Sequence, residues 1–323
     1  MTTSGVYTLS VNRDQIIRMA MLNIEKLDEV ETPTPQEITD CSLMLNMQVK
    51  QWMGKADFAP GLKTWTRRHG HLFLSGLTGQ YTLSPTASGW TNNYVQTTTT
   101  ATVAAGVSII PVSSVVGMTA GDHFGIVLDG DSYIYWTTIQ SILALNVTIT
   151  GAIPTGTQAS FGAGIFNYTT AAQQPDVIET AFLRDFTFND TPLRLMTLQE
   201  YDNLPNKAAT LTYVSDPTAV YHEWQLGGSY LFTDVAGSAD LTKHIAMTYM
   251  EETQVFTNPL DTPEYPYEWL LPLALGLSKL ISPMYGAVWT PLMESNFTTA
   301  LAIAQHKDPN DKSVAYFQCG EDY

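Results

Sequence analysis

Residues 124–139 read FGIVLDGDSYIYWTTI, a pattern typical of a β-hairpin. Two runs of apolar, aromatic and β-branched residues flank Asp129-Gly130, a pair that favours a tight turn between antiparallel strands. The hairpin lies within a window, 69–183, of 115 residues without lysine or arginine. Charged segments with helical spacing flank this window. The change in composition predicts a β module inserted into a helical domain.

Further short strands are predicted in the same window. Glycine- and proline-containing turns separate runs of β-branched and aromatic residues. Six strands in such a short segment predict a small closed barrel or sandwich. We expect them at Val103 and at 107–112, 124–128, 133–139, 147–149 and 164–168.

Outside the window, helix-start signals predict a helical hairpin. Asn12 with Gln15, and Thr34 with Glu37, have the spacing of capping boxes. Apolar residues follow each cap at helical spacing, so the two helices should pack antiparallel through these faces. The faces comprise Ile16, Ala20, Ile24 and Leu27 in the first helix, and Ile38, Cys41, Leu45, Val49 and Trp52 in the second.

Three more helices are predicted toward the C-terminus. A third capping box at 197–200 opens a short helix that should turn Leu198, Tyr201 and Leu204 inward. A helix at 267–281 contains Pro272, which predicts a kink or a late start. The last helix follows Pro291.

Together these patterns predict an α+β fold. A helical core, formed by the hairpin and the C-terminal helices, should carry an inserted small all-β barrel or sandwich. We expect the core at 1–83 and 184–306, the β module at 84–183 and an extended, polar C-terminal tail at 307–323. Segments of the expected core that alternate like strands lie at 211–214, 220–226, 230–233 and 244–256.

The composition limits the classes of partner. The net charge is −16, from 31 acidic and 15 basic residues. Such a chain lacks the basic footprint that neutralises phosphates, so we do not expect it to bind nucleic acid in that way. The acidity fits either ordinary solubility or the wall of a conduit through which DNA slides. The low charged fraction of 14% fits either burial against other subunits or a plain β-rich protein.

The two cysteines, Cys41 and Cys319, do not indicate a disulfide framework, and a reducing compartment fits. No signal peptide is predicted at the N-terminus. The most apolar segment, 269–281, is too short and too interrupted to span a membrane.

No catalytic, cofactor or metal site is predicted. The sequence contains no nucleotide-binding, serine-hydrolase or zinc-protease motif. His69 and His71 lack further ligands nearby in the sequence for a metal site. Two pairs of carboxylates, at 251–252 and at Asp261 with Glu264, leave open the alternative that one pair supplies the general acid and the nucleophile of a glycosidase.

One basic cluster remains as a candidate contact. Lys63, Arg67 and Arg68 lie together in an otherwise acidic chain. They form either an electrostatic contact, to an acidic neighbouring subunit or to passing DNA, or an ordinary solvated loop.

Three stretches together resemble one protein family. The first, within 7–65, contains YTLSVNRDQIIRMAMLNIEKLDE, TPQEITDCSLMLNMQVKQWMG and GLKTW. The second, 192–207, reads PLRLMTLQEYDNLPNK, and the third, 264–286, reads EYPYEWLLPLALGLSKLISPMYG. In this order they resemble the head-to-tail adaptor (connector, or packaged-DNA stabilisation) proteins of short-tailed bacteriophages.

The resemblance implies a structural virion protein without enzymatic activity. It implies a ring, typically of twelve copies, that joins the portal protein to the tail nozzle and extends the channel for double-stranded DNA. The protein would be made in the host cytoplasm and reside at the head–tail junction. The C-terminal tail, with Tyr316 and Phe317, would dock to the portal.

Two other functions are considered. A tail-associated hydrolase of cell-wall glycan would use the β module to bind sugar, and it requires two carboxylates at a short separation, one with a raised pKa. A carbohydrate-binding protein would instead expose Trp90, Tyr94, Tyr133 and Trp136 as a stacking platform, although aromatic residues that alternate in strands are more often core.

Overall fold

The computed structural model divides into two units. We call Met1–Thr66 with Thr253–Tyr323 the helical unit, and Arg67–Glu252 the β unit. The structure describes residues 9–53, 67–76, 78–130, 133–204, 215–225, 228–235 and 240–306. The expected C-terminal tail at 307–323 lies outside these residues.

Five α-helices are found in the described residues. Four belong to the helical unit and the short α3 belongs to the β unit. Each of the three predicted capping boxes is present, with the cap side chain and the side chain three residues later each accepting a backbone N–H. The helices are α1 (Arg13–Asn23), α2 (Pro35–Trp52), α3 (Leu198–Asp202), α4 (Leu270–Ile281) and α5 (Pro291–His306).

The helical unit has one apolar core. The predicted faces of α1 and α2 pack there against α4 and α5, around Trp52 and Trp269. A 3-10 turn, Tyr267–Trp269, precedes α4, so Pro272 lies in the first turn of that helix. A first-turn proline removes no intrahelical hydrogen bond, which confirms the predicted late start.

The β unit contains fourteen described strands in two sheets. One sheet has the strand order β2-β13-β12-β11-β10-β14-β1-β3, and the other β4-β9-β6-β7-β8-β5. The strands are β1 (Arg67–Phe73), β2 (Gln80–Leu83), β3 (Trp90–Thr91), β4 (Val95–Thr98), β5 (Ile109–Pro111), β6 (His123–Val127), β7 (Ile134–Leu143), β8 (Asn146–Ile149), β9 (Gly164–Tyr168), β10 (Pro175–Arg184), β11 (Asp190–Met196), β12 (Ala219–Gln225), β13 (Gly228–Thr233) and β14 (His244–Glu251).

The six-stranded sheet curls toward a barrel. Thr99 and Val112, which directly follow β4 and β5, form a further β-bridge, and Ser113 N donates to Thr98 O at 2.9 Å. The two edge strands are therefore joined at one end. Five strands predicted in this segment are confirmed within a few residues. Val103 forms an isolated bridge rather than a strand, and β4 was not predicted.

The predicted fold class, a helical core with a small β module, is wrong. Segments on both sides of the lysine- and arginine-free window join one eight-stranded sheet, in which β1 and β10 flank β14. Arg184, where charge returns, is the last residue of β10 and pairs with His244 of β14. The composition step therefore falls inside a sheet, because strand pairing depends on backbone hydrogen bonds rather than on side-chain charge.

One side chain near α3 also differs from expectation. Leu198 was expected to point inward but is exposed, whereas Tyr201 and Leu204 pack against Met196, Ala219 and Tyr221. In a single helical turn only part of the circumference can face the sheet, and Tyr201 occupies that part by stacking on Tyr221 at a centroid distance of 5.3 Å.

Candidate functional site

The two described residues of the basic cluster lie at the start of β1. The Arg67 guanidinium donates to both carboxylate oxygens of Glu179, at 2.6 and 2.8 Å. Arg68 Nε lies 3.4 Å from Glu251 Oε2. Both arginines are thus paired within their own sheet, through residues far away in the sequence. Their proposed contact with a neighbouring subunit or DNA stays a prediction.

The other candidate contact residues cannot be placed. Lys63, Tyr316 and Phe317 lie outside the described residues. The structure therefore brings together Arg67 and Arg68 alone of the predicted contact set.

The carboxylates considered for glycan hydrolysis lie in and near the loop 253–265. Asp261 accepts from the backbone N of Asn258 at 2.7 Å and of Thr257 at 2.8 Å. These hydrogen bonds, that of Asn258 first, lower the pKa of Asp261. Among the described carboxyl groups, each one whose pKa departs clearly from its ordinary value has a pKa below that value. A general acid needs a raised pKa, so the hydrolase gains no support here.

The same loop encloses a polar cavity of about 400 Å³. Helix α2 holds the loop in place: Asn46 exchanges two hydrogen bonds with the backbone of Phe256, and Lys50 Nζ donates to Thr253 O at 2.8 Å. The hydroxyl of Thr253 is buried without a hydrogen-bond partner in the described chain. The cavity is lined by one loop of the helical unit, with Asp261 and Glu264 among its lining residues.

Among the described residues, no group of three or more acidic, histidine or cysteine side chains converges as metal ligands would. The absence of a metal site stays a prediction. Asp129 accepts hydrogen bonds from Ser160 Oγ at 2.5 Å and Gln158 Nε2 at 3.1 Å, as a turn residue would. Of the four aromatic residues considered for sugar stacking, Tyr133 alone is largely exposed, while Trp90 is fully buried.

Sequence reasoning missed a cluster of polar aromatic side chains around a fully buried histidine in the β unit. We call His71, Tyr94 and His244 the histidine junction. Ring centroids are 5.4 Å apart for the two histidines, and Tyr94 lies 4.7 Å from His71 and 4.9 Å from His244. No motif marks this cluster, because His71 and His244 are 173 positions apart in the printed sequence and meet only through the pairing of β1 with β14.

Burial controls the titration of both imidazoles. Desolvation, followed by the charges of Arg184 and His69, lowers the pKa of His71 to about 4. Desolvation, followed by the charges of His71 and Arg184, lowers the pKa of His244 to about 3. Burial also raises the pKa of Tyr94 against the effect of nearby Arg184. At neutral pH all three side chains are therefore uncharged.

The helical unit carries a second kind of candidate site, an exposed apolar surface. On α5, Leu292 and Ile303 are 71% and 55% exposed, and on α2, Leu43 and Met47 are similarly exposed. More than half of the exposed large apolar side chains of the described chain lie in this unit, which has fewer described residues than the β unit. Concentrated exposed apolar area is typical of surfaces that bind other proteins.

None of the described helices is both long and apolar enough to cross a bilayer. The comparison of the chain with protein-family models gives no match, and neither does the comparison with curated proteins.

Proposed function

We propose that the chain is a structural subunit of a head-to-tail adaptor that assembles into a ring with copies of itself. The observation that carries the proposal is the set of exposed large apolar side chains on α2 and on α5. These side chains offer area that would leave water on association, at about 25 cal/mol for each Å². In a ring, each copy buries two different faces against its neighbours.

The packing of the resembling stretches supports the proposal. The first stretch contains α1 and α2, and the third contains α4. These helices share one core although α4 follows α2 by more than two hundred positions. The second stretch lies in β11 and α3 of the β unit. A resemblance carried by segments that share a core is more meaningful than one carried by unrelated surface segments.

The charge also supports it. A net charge of −16 suits the wall of a channel through which DNA must move without sticking, because like charges repel. In this proposal the ring attaches to the portal protein on one side and the tail nozzle on the other, and it contacts double-stranded DNA without sequence preference.

The mass of the purified chain, alone and with the portal protein of the same virus, tests the proposal. We expect a large complex with the portal, visible as a ring by electron microscopy. Replacing Leu292 and Ile303 by Gln should raise the protein concentration needed for ring formation about tenfold or more. The change removes apolar area from α5 without breaking the helix.

The matched control replaces Val116 and Phe161 by Gln. These β-unit side chains are 79% and 74% exposed, comparable to the α5 pair. They should leave assembly unchanged. A chain that stays monomeric with the portal, or that assembles equally well in both double variants, would contradict the proposal.

A further inference from the structure

The histidine junction lies where the two sheets of the β unit meet. His71 is in β1 and His244 in β14 of the eight-stranded sheet, and Tyr94 directly precedes β4 of the six-stranded sheet. Phe73 of β1 packs against Phe166 of β9 at a centroid distance of 4.5 Å beside them. One apolar cluster, which includes Phe73, Ile134, Phe166 and Tyr168, contains residues from both sheets.

Three of the four imidazole nitrogens of the junction are buried without a hydrogen-bond partner among the described residues. His244 is fully buried, and neither of its ring nitrogens has a hydrogen-bond partner among the described residues. Nδ1 of His71 likewise has none. Their neighbours are aromatic rings: Phe73 lies 5.2 Å from His244, and Tyr94 contacts both histidines. An imidazolium at His244 would be a desolvated charge without an acceptor, whereas His71 is half-buried.

The charged groups around the junction do not compensate. Arg184 of β10 repels a proton on either histidine, and His69 of β1 does so for His71. Asp190 of β11 is the one nearby acid that favours protonation. Both of its carboxylate oxygens already accept from the Arg184 guanidinium, each at 2.7 Å. The pair therefore presents little net negative charge to the histidines.

We propose that the histidine junction is an acid-sensitive connection, and that protonation of His71 and His244 separates the six-stranded sheet from the eight-stranded sheet before the sheets themselves unfold. Separation would expose the imidazoles to water, where they accept protons freely. The proposal concerns the β unit alone and does not depend on the adaptor assignment.

Linkage gives the direction and the pH window. The folded-state pKa values, about 4 and about 3, lie below the ordinary value of 6.5, so the open state binds more protons. Above pH 6.5 the histidines contribute nothing to the pH dependence. As the pH falls below this value, the opening equilibrium rises by up to about tenfold per histidine for each pH unit. The effect levels off below the folded-state pKa values.

Hydrogen exchange between pH 7 and pH 5, corrected for the intrinsic exchange rate, tests the proposal on the full chain. This range lies above the range in which the lowered carboxyl groups titrate. The backbone N–H of Gly89, which directly precedes β3, donates to the hydroxyl of Tyr168 in β9 at 3.0 Å and so joins the two sheets. This amide should lose protection steeply as the pH falls, while amides that are hydrogen-bonded within either sheet, and those of α1 and α2, should not. The variant with His71→Phe and His244→Phe should lose most of this slope, since phenylalanine fits an aromatic environment and cannot be protonated.

His123→Phe is the matched control. His123 belongs to β6 and stacks on Tyr168 at 4.6 Å, outside the junction, so this variant should keep the wild-type slope. An equal slope in the double variant and in the wild type would overturn the proposal, as would wild-type protection that does not change with pH.

A second measurement covers the case in which the double variant does not fold. Histidine side-chain NMR of the wild type should show two imidazoles that remain neutral at pH 5 as long as the junction is protected. Titration of His71 or His244 near 6.5 in the protected state would refute the proposal.

Discussion

At Gly70 the chain must lack a side chain. A Cβ there would lie 2.6 Å from Trp90 Cζ3 and 2.9 Å from Tyr249 Cε1. Both distances are shorter than non-bonded carbon atoms tolerate. Trp90 and Tyr249 are fully buried and pack together at a centroid distance of 5.3 Å. The glycine therefore lets two large rings fill the same space beside β1.

Gly70→Ala should lower the free energy of unfolding of the β unit by about 1–3 kcal/mol, the usual cost of overpacking. Urea unfolding followed by circular dichroism measures it. The same change made with Trp90→Phe, which removes the outer indole ring atoms, should cost clearly less. Equal costs in the two backgrounds would show that the contact with Trp90 is not the cause.

At the scale of elements, the caps fix where the helices begin. Thr34 Oγ1 accepts from the backbone N of Glu37, and the Glu37 carboxylate accepts from the backbone N of Thr34 at 2.9 Å. These hydrogen bonds, that of the Thr34 backbone first, lower the pKa of Glu37 below 4.5. The stability from this carboxylate is therefore present above pH 4.5 and is lost as the pH falls through the lowered pKa.

Thr34→Ala should cost about 1 kcal/mol of stability in the helical unit, because it leaves an N–H of the first turn without its acceptor. Thermal unfolding followed at 222 nm measures the loss. Thr39→Ala is the control: its hydroxyl donates to Pro35 O inside α2, so alanine should be neutral or slightly stabilising there. An equal loss of stability in Thr39→Ala and in Thr34→Ala would contradict a stabilising role of the cap.

The packing of α2 on α4 depends on Gly276. A Cβ at this position would overlap the Gln48 amide nitrogen and lie 3.0 Å from Trp52 Cζ2. Gln48 is buried and donates to Leu273 O at 3.3 Å, so its amide is not free to move aside.

Gly276→Ala should therefore destabilise the helical unit by about 1–3 kcal/mol. In an exposed helix the same change would stabilise by up to about 1 kcal/mol, because alanine has the higher helix propensity. The sign of the change in unfolding free energy thus separates a close helix contact from a free helix face. A gain in stability would contradict the packing described.

At the scale of the whole molecule, the β unit is one continuous segment whose ends meet. Arg67 at the start of β1 lies opposite Met250 near the end of β14. All fourteen described strands and both sheets fall between these ends.

We expect a fragment of residues 67–252 to fold alone, because it keeps every strand pair of both sheets. Circular dichroism should show a β spectrum and cooperative unfolding. The contrasting fragment, 84–183, follows the composition step and removes β1, β2 and β11–β14 from the eight-stranded sheet. It should leave β10 without its partners and unfold more easily. Equal stability of the two fragments would contradict this division.

Local patterns predicted local structure well. The capping boxes, the start of α5 and most strands of the six-stranded sheet follow from residues that are neighbours in the sequence. The histidine junction and the partners of Arg67 and Arg68 could not be predicted in this way, because their members are brought together by the pairing of distant strands.

By itself, then, the sequence determined the helix caps, the apolar faces of α1 and α2 and the turn-bounded strands, since these depend on side chains within a few positions. Tertiary structure alone decided that strands on both sides of the lysine- and arginine-free window share one sheet. It also decided that two distant histidines lie together, one of them fully buried. The physical reason is that hydrogen bonds between strands are made by the backbone, which is the same for every residue type and so leaves little trace in composition.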